Sequence, residues 1–183
     1  MDDNIYGFIA LSMAQMRMKD AGAKTIYKRD SKLWRGWEKF VKAITFGKNP
    51  NTNKYLTTTI GKTIYLCDAY DDMSDLEKAE TLAHEIVHVE QCKRLWYVGF
   101  YLLYVFLPFP VLFAYGRLYL ELQAYAVGFK VRIFGIPTPE ALVEAEVASK
   151  DFADFMFSSD YWWAWPFKKH AQKLAFKEFT KGL

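Results

Sequence analysis

The residues best suited to do chemistry lie in the pentapeptide His84-Glu85-Ile86-Val87-His88. Two histidines four residues apart point the same way from an α-helix, so both imidazoles can bind one Zn²⁺ at about 2.0–2.1 Å. The glutamate after the first histidine then lies beside the ion, where it can take a proton from bound water. The chain has three histidines, and two of them form this pair. The motif therefore predicts a zinc site with Glu85 as general base.

The sequence around the motif predicts the helix that this chemistry requires. Ser74 and Glu77 form a capping box, in which the serine caps the first turn and the glutamate three residues later closes it. Apolar residues recur from Leu76 to Val87 at helical spacing, and no glycine or proline lies between Ser74 and Arg94. The motif is therefore expected in the middle of a well-started helix.

A catalytic zinc site commonly has three protein ligands, so a third donor is needed. Cys92 continues the face of His84, but eight residues of helix span about 12 Å, too far to share one ion. A longer His-x-x-Gly-x-x-His motif is excluded, because Gln91 and Arg94 occupy the places of its glycine and final histidine. Cys92 is instead expected to be a small core residue.

The stretch 95–116 contains no charged residue and is long enough for a transmembrane helix. Pro108 and Pro110 interrupt it, which should end one helix and start another. We therefore expect a Pro-broken apolar helical hairpin that turns at residues 107–110. Contact of this hairpin with a membrane surface stays open as an alternative to packing on the core of the protein.

Glu121 and His170 are the remaining candidates for the third ligand. Glu121 is the better one, because it lies on the helix that returns from the hairpin toward the motif helix. Ala124, three residues later, would let the two helices approach closely. A membrane crossing would put the motif helix and Glu121 on opposite sides of the bilayer, so the shared site favours the hairpin.

The other segments predict an α+β fold that is mainly α-helical. Residues 5–19 and 32–46 have helical spacing, which gives N-terminal helices within residues 5–46. The C-terminal helices are expected within residues 138–181, where Thr138-Pro139 marks a helix start.

A β-hairpin is expected directly before the motif helix. Residues 55–60 and 63–67 are short runs rich in Thr, Ile and Tyr, and Gly61-Lys62 between them suits a two-residue turn. Together with the two metal helices, this hairpin gives a metal core over about residues 55–131.

Length and composition favour a single domain over residues 1–183. The net charge of +3 is too small to indicate a nucleic-acid partner, and two cysteines give no disulfide framework, which favours a reducing compartment. The acidic start of the chain lacks the features of a secretory signal. We therefore expect a cytoplasmic or particle-associated protein, with peripheral membrane association as the alternative.

The pattern His84-Glu85-x-x-His88 followed by Glu121-x-Gln123-Ala124 resembles the gluzincin metallopeptidases. The likeness is greatest to their minimal forms, the minigluzincins, which are related to the CAAX prenyl endopeptidases and carry HExxH and then E-x-x-A-D on a second helix. Small zincin-like proteins of bacteria and their phages are similar too, with a Pro-interrupted apolar stretch between the metal helices. The resemblance covers about residues 55–131 and implies a zincin-like core with His84, His88 and Glu121 as zinc ligands.

The resemblance also implies peptide-bond hydrolysis, with a peptide or protein as substrate and Glu85 as base. Zincins place an edge strand above the metal cleft, so the strand 63–67 is expected to pair with the main chain of the substrate. Tyr125 and His170 are the candidates for stabilising the oxyanion. The expected substrate-binding residues are Thr63, Ile64, Tyr65 and Leu66.

One position departs from the family pattern. Tyr125 occupies the place of the aspartate that orients the first histidine in the larger family. The hydroxyl of Tyr125, or the carboxylate of Asp68 or Asp71, is an open alternative for that role. The alternative function is therefore a zincin-like structural or assembly protein, part of a larger particle, that keeps the metal without proteolysis.

Overall fold

The computed structural model describes residues 3–44, 52–104, 114–158 and 165–183. These ranges form a mainly helical α+β fold, as the sequence predicts. The helices are α1 (Asp3–Asp20), α2 (Lys32–Ile44), α3 (Thr52–Tyr55), α4 (Asp75–Arg94), α5 (Trp96–Tyr104), α6 (Ala114–Arg132), α7 (Thr138–Phe157) and α8 (Lys168–Phe179). The strands are β1 (Lys24–Tyr27), β2 (Thr58–Ile60) and β3 (Thr63–Leu66).

The motif helix α4 begins at the predicted capping box. The Ser74 hydroxyl accepts a hydrogen bond from the backbone N–H of Glu77, and the Glu77 carboxylate accepts one from the backbone N–H of Ser74 at 2.8 Å. Two of the N–H groups that a helix start leaves unpaired are thereby satisfied. The apolar face of α4, which includes Leu82, Ile86 and Val89, is buried in a core formed with α1 and the sheet.

The predicted hairpin is present, with β2 and β3 antiparallel and Ile60 opposite Thr63. Gly61 in the connecting turn has φ of +63°, a left-handed conformation in which a side chain would be strained. The hairpin ends just before a short 3₁₀-helix, Asp68–Asp72, which leads into α4.

The third strand, β1, was not predicted, and it changes the role of β3. Its residues pair in parallel with β3, from Lys24 opposite Thr63 to Tyr27 opposite Leu66, so the strand order is β1-β3-β2. The expectation that residues 63–67 form an edge strand is therefore wrong, because β3 is hydrogen-bonded on both sides. Within the described residues, β2 pairs only with β3, and Thr59 of β2 contacts Glu85 in the middle of the motif helix.

The apolar stretch after α4 contains α5 and the start of α6. The turn predicted at residues 107–110 lies outside the described residues, as does the predicted end of the second helix at 45–46. The helix α6 packs along α4 as expected for the returning arm. A Cβ on Gly128 would lie 3.2 Å from the Glu80 side chain, so glycine allows this close approach. In the part of the chain that the structure describes, no helix has the length and apolar character to cross a membrane.

In the part of the chain that the structure describes, two large hydrophobic cores flank the α4–α6 contact, and a smaller buried cluster joins α4, α5 and α6. The first joins α1, the sheet and α4 around Ile64 and Ile86, while the second joins α6, α7 and α8. In the second core the rings of Phe129 and Phe179 stack with centroids 4.9 Å apart, and Phe152 packs beside them. Side chains on the facing sides of α4 and α6 are therefore held by a rigid core from each direction.

Candidate metal centre

Three side chains from α4 and α6 converge where the two helices meet. The Nε2 atoms of His84 and His88 are 3.1 Å apart, and each lies 3.6 Å from an oxygen of the Glu121 carboxylate. The side chain of Glu121 is fully buried, whereas His84 keeps some exposure toward the solvent. The structure thus brings together the three residues that the sequence singled out as metal ligands.

The spacing of these donor atoms fits a small divalent cation. Two ligands of a tetrahedral ion at 2.0–2.1 Å lie about 3.3–3.4 Å from each other. The observed separations of 3.1 and 3.6 Å lie on either side of that value, and all the donor atoms fall within 4.8 Å of one another. The group of His84, His88 and Glu121 could therefore hold a metal ion without rearrangement of the helices.

The buried carboxylate of Glu121 favours a positive charge beside the two histidines. Burial lowers the pKa of His84 to about 3, and the neighbouring His88 adds to that effect. Burial also lowers the pKa of His88, but the Glu121 carboxylate, together with Glu85 and Gln91, outweighs burial and raises that pKa to about 9. A buried carboxylate needs a cationic partner. Either a proton on His88 or a bound cation supplies it, and metal binding releases the proton.

The orientation of His88 is fixed by Gln91, one turn further along α4. His88 Nδ1 lies 2.9 Å from Gln91 Oε1, and the amide nitrogen of Gln91 donates to the Leu120 carbonyl at 2.9 Å and to Gln123 Oε1 at 3.1 Å. Because an amide oxygen only accepts, Nδ1 is the donor, and the neutral ring presents the lone pair of Nε2 to the metal centre. Gln91 thus orients the His88 ring in the way that outer hydrogen-bond partners orient metal-binding histidines.

Replacing Gln91 by leucine should weaken metal binding by about 10–100-fold, the cost usually seen when a ligand loses its outer hydrogen-bond partner. The measurement is a titration with Zn²⁺ in competition with a chromogenic chelator. Glu90→Gln is the matched control, since Glu90 is the preceding residue on α4 and contacts the exposed Arg17 instead. An unchanged affinity in a folded Gln91→Leu protein would contradict the role given to Gln91.

Glu85 lies in the same cleft as the metal centre and is held by the edge strand β2. The Thr59 hydroxyl donates to Glu85 Oε2 at 2.6 Å. Burial raises the pKa of Glu85, although His88 and the hydrogen bond from Thr59 oppose that rise. A carboxylate whose pKa is raised above its ordinary value is better suited to accept and return a proton.

The cleft runs between β2 and the α4–α6 pair. One wall consists of residues 55–60, and the other consists of the facing sides of the two helices. The buried Lys28 holds the first wall from behind, because its ammonium group donates to the Leu56 carbonyl at 2.7 Å and to the Thr58 hydroxyl at 3.0 Å. Burial lowers the pKa of Lys28 to about 8, against the opposing effect of Glu85. A positive charge thus lies behind the strand that contacts Glu85.

The two candidates for the oxyanion donor lie in different places. Tyr125 lines the cleft, and its ring meets that of His84 almost at a right angle, with centroids 4.6 Å apart. His170 lies at the start of α8 against Trp165 and Tyr115, and it is not among the residues that line the cleft. The structure therefore brings Tyr125 to the metal centre and not His170.

The acidic alternatives for orienting His84 do not lie beside it. Asp71 accepts hydrogen bonds from Tyr27 and Arg29 at the end of β1, and Asp68 lies on the same 3₁₀-helix. The rings that contact His84 are those of Tyr125 and His88, with centroids 4.6 and 4.8 Å away.

The predicted substrate-binding residues on β3 do not line the cleft. Ile64 and Leu66 are buried in the core against α4. The wall of the cleft is formed by the neighbouring strand β2 and its approach instead. The error follows from the missed strand β1, which covers the edge that β3 would otherwise expose.

Comparisons of the chain with protein-family models, with curated proteins and with solved structures found no match. Function must therefore be inferred from the residues of the site. Among the described residues, the cluster with metal-binding geometry is the one formed by His84, His88 and Glu121.

Proposed function

We propose that the protein is a zinc-dependent metallopeptidase with a zincin-like core. The observation that carries this proposal is the meeting of the buried Glu121 carboxylate with His84 and His88, beside a second buried carboxylate, Glu85, in one cleft. Three ligands and a separate carboxylate are the minimum set for metal-assisted hydrolysis. The arrangement also agrees with the resemblance of the sequence to gluzincins.

The donor set favours a transition-metal ion such as zinc over Mg²⁺ and Ca²⁺. Two imidazole nitrogens and one carboxylate oxygen suit Zn²⁺, whereas Mg²⁺ and Ca²⁺ prefer sites made of oxygen atoms alone. Three protein ligands leave one coordination position open, which is typical of catalytic zinc sites. A zinc ion bound here would supply a Lewis acid and would lower the pKa of a bound water to about 7.

The residues of the chain supply the proton transfers and the positioning. Glu85 accepts the proton of the attacking water and returns it to the leaving amine. Thr59 holds one oxygen of that carboxylate, so the other oxygen is available for the proton. Tyr125 is the candidate for stabilising the oxyanion through its hydroxyl, because it lines the cleft next to His84.

The edge of β2 that pairs with no strand among the described residues is the proposed docking place for the substrate main chain. The segment 55–60 forms one wall of the cleft, and β2 pairs on its other side with β3. An extended peptide can add to such an edge through main-chain hydrogen bonds, with its scissile bond close to Glu85. This assignment replaces the one made from the sequence for Thr63 to Leu66.

Removing the Thr59 hydroxyl should slow the chemical step without weakening metal binding. Thr59→Val keeps the shape of the side chain but loses the 2.6 Å hydrogen bond to Glu85. A hydrogen bond to a charged group is worth about 1.5–3 kcal/mol, which corresponds to a decrease in kcat of roughly 10–100-fold. Thr59→Ser restores the hydroxyl and should recover most of the activity. Equal activity of the valine and serine variants would contradict the role of Thr59.

Metal analysis and peptide digestion of the purified protein test the proposal. We expect one zinc ion per chain, cleavage of a mixed peptide library, loss of cleavage with 1,10-phenanthroline, and its return when Zn²⁺ is added. A zinc-loaded protein that cleaves no peptide and melts at a lower temperature after chelation would support the structural alternative instead. The contact of Tyr125 with His84, in the place of a carboxylate partner, is the observation that favours that alternative.

A further inference from the structure

The helix α1 is apolar on two opposite faces, but only one of them is buried. Gly7, Leu11, Ala14 and Met18 lie on the inner face, toward α4 and its core. The outer face carries large apolar side chains that are 47–65% exposed, although a helix that is apolar all round is normally buried all round. These residues are Ile5, Phe8, Ile9, Met13 and Met16.

The outer face is self-complementary in an antiparallel arrangement. Together with Ser12, its residues occupy positions 5, 8, 9, 12, 13 and 16, and this spacing is the same when read in either direction. Two copies of α1 related by a two-fold axis near residues 10 and 11 would place Ile5 opposite Met16 of the second copy. Phe8 would lie opposite Met13 of the second copy, which is a favourable contact of sulfur with an aromatic ring.

Ser12 is the one polar side chain on the outer face, and it does not oppose burial of that face in an interface. The hydroxyl of Ser12 donates to the Phe8 carbonyl one turn earlier at 2.9 Å, so its hydrogen bond is made within the helix. In the antiparallel register Ser12 meets Ile9 of the second copy. A polar group that keeps its partner can enter an apolar interface at little cost.

The helix dipoles favour the same arrangement. An antiparallel pair sets the dipoles of the two α1 helices in opposite directions, so the partially positive end of each lies beside the partially negative end of the other. The charged side chains of the last turn add little, because Arg17 is paired with Glu90 of α4 and Lys19 is followed by Asp20.

We infer that the outer face of α1 is the interface of a symmetric, antiparallel dimer of this chain. Five large side chains that are about half exposed present roughly 500 Å² per copy, so pairing removes about 1,000 Å² from water, near the lower limit for a specific interface. The dimer should therefore dissociate in the micromolar range. The interface lies on the side of α1 away from α4 and is independent of the metal centre.

Sedimentation velocity over a range of concentrations tests the dimer. The wild type should approach twice the chain mass of 21.4 kDa at about 100 µM. Met13→Glu should stay monomeric and keep its melting temperature and metal content. Val143→Glu is the matched control, since Val143 is an apolar residue on α7 with a similar exposure of 64%, and it should dimerise like the wild type. A wild type that stays monomeric at 100 µM, or a dimer unaffected by Met13→Glu, would overturn the inference.

Cross-linking tests the register. Both native cysteines are buried, so a short bismaleimide should react with introduced ones. An equimolar mixture of Ile9→Cys and Ser12→Cys proteins should give the cross-linked heterodimer well above the roughly twofold excess over each homodimer that random pairing gives, because these positions face each other. Predominant homodimers of Ile9→Cys would indicate a parallel pair and overturn the register.

Flotation with vesicles distinguishes a lipid surface from a second copy of the chain. If the protein stays monomeric, floats with phosphatidylcholine–phosphatidylserine vesicles, and no longer floats after Met13→Glu, the outer face of α1 binds lipid and the inference of a dimer is overturned.

Discussion

Glutamine in place of Glu85 should lower kcat for peptide hydrolysis by about 10²–10⁴-fold while the protein keeps its zinc. The amide is nearly isosteric with the carboxylate, and its oxygen can still accept the hydrogen bond from Thr59. The cleft is thus unchanged, but the group that takes the proton from water is gone. The measurement combines kcat for a fluorogenic peptide, chosen from the cleaved library, with zinc content by mass spectrometry of the metal.

Glu90→Gln provides the control for this experiment. Glu90 lies five residues further along the same helix and forms an exposed ion pair with Arg17, so its loss should leave kcat and zinc content unchanged. Wild-type activity in the Glu85→Gln protein would remove the assignment of Glu85 as base. Zinc that is lost together with activity would instead place Glu85 among the residues that hold the ion.

Glu121→Gln should abolish tight zinc binding, with a loss greater than the 10–100-fold expected for an outer partner such as Gln91. The substitution keeps the volume of a fully buried side chain, so a collapsed core cannot explain the effect. It removes the negative charge that faces both imidazoles at 3.6 Å. The amide offers a neutral and weaker oxygen donor, which leaves two strong ligands.

The melting temperature with and without Zn²⁺ gives a second reading for Glu121→Gln. A ligand that binds the folded state stabilises it by about 2.7 kcal/mol at a concentration of 100 Kd. The wild type should therefore melt at a higher temperature with zinc, and the variant should show little change. Glu146→Gln, on the exposed side of α7, should respond like the wild type. Retention of tight binding in Glu121→Gln would remove Glu121 from the ligand set.

The elements that hold the site could be predicted where the signals are local in sequence. The capping box at Ser74 marks the start of α4, and the glycine of Gly61-Lys62 marks the turn of the hairpin. The approach of Glu121 was predicted from a different kind of argument, namely that a shared site requires the chain to return after the apolar stretch. The prolines that suggested the return lie outside the described residues.

The strand β1 could not be predicted in the same way, because its partner is distant in sequence. Its four residues, Lys24–Tyr27, have the composition of a strand. Parallel strands are joined by a long connection and not by a tight turn, so no local signal in the sequence indicates the pairing of β1 with β3. The position of a strand at the centre or the edge of a sheet depends on such pairings. Because β1 was missed, β3 was taken for the edge strand of the cleft in place of β2.

The hydrogen bonds that support the reactive groups were also beyond sequence reasoning. Gln91 and Thr59 are common polar residues that could equally face solvent, and Gln91 was noticed only because it excluded a longer motif. Their roles depend on which side of α4 faces α6 and on how closely β2 approaches α4. A glutamine three residues after a metal-binding histidine is the one local signal that would have drawn attention to Gln91.

The position of the metal centre between the two hydrophobic cores has a consequence for folding. His84 and His88 belong to the half of the molecule built on α1 and the sheet, whereas Glu121 belongs to the half built on α7 and α8. A single ion bound by all three would act as a cross-link that shortens the loop between the halves. Chelation would remove that cross-link, so the chain would unfold less cooperatively without the ion than with it.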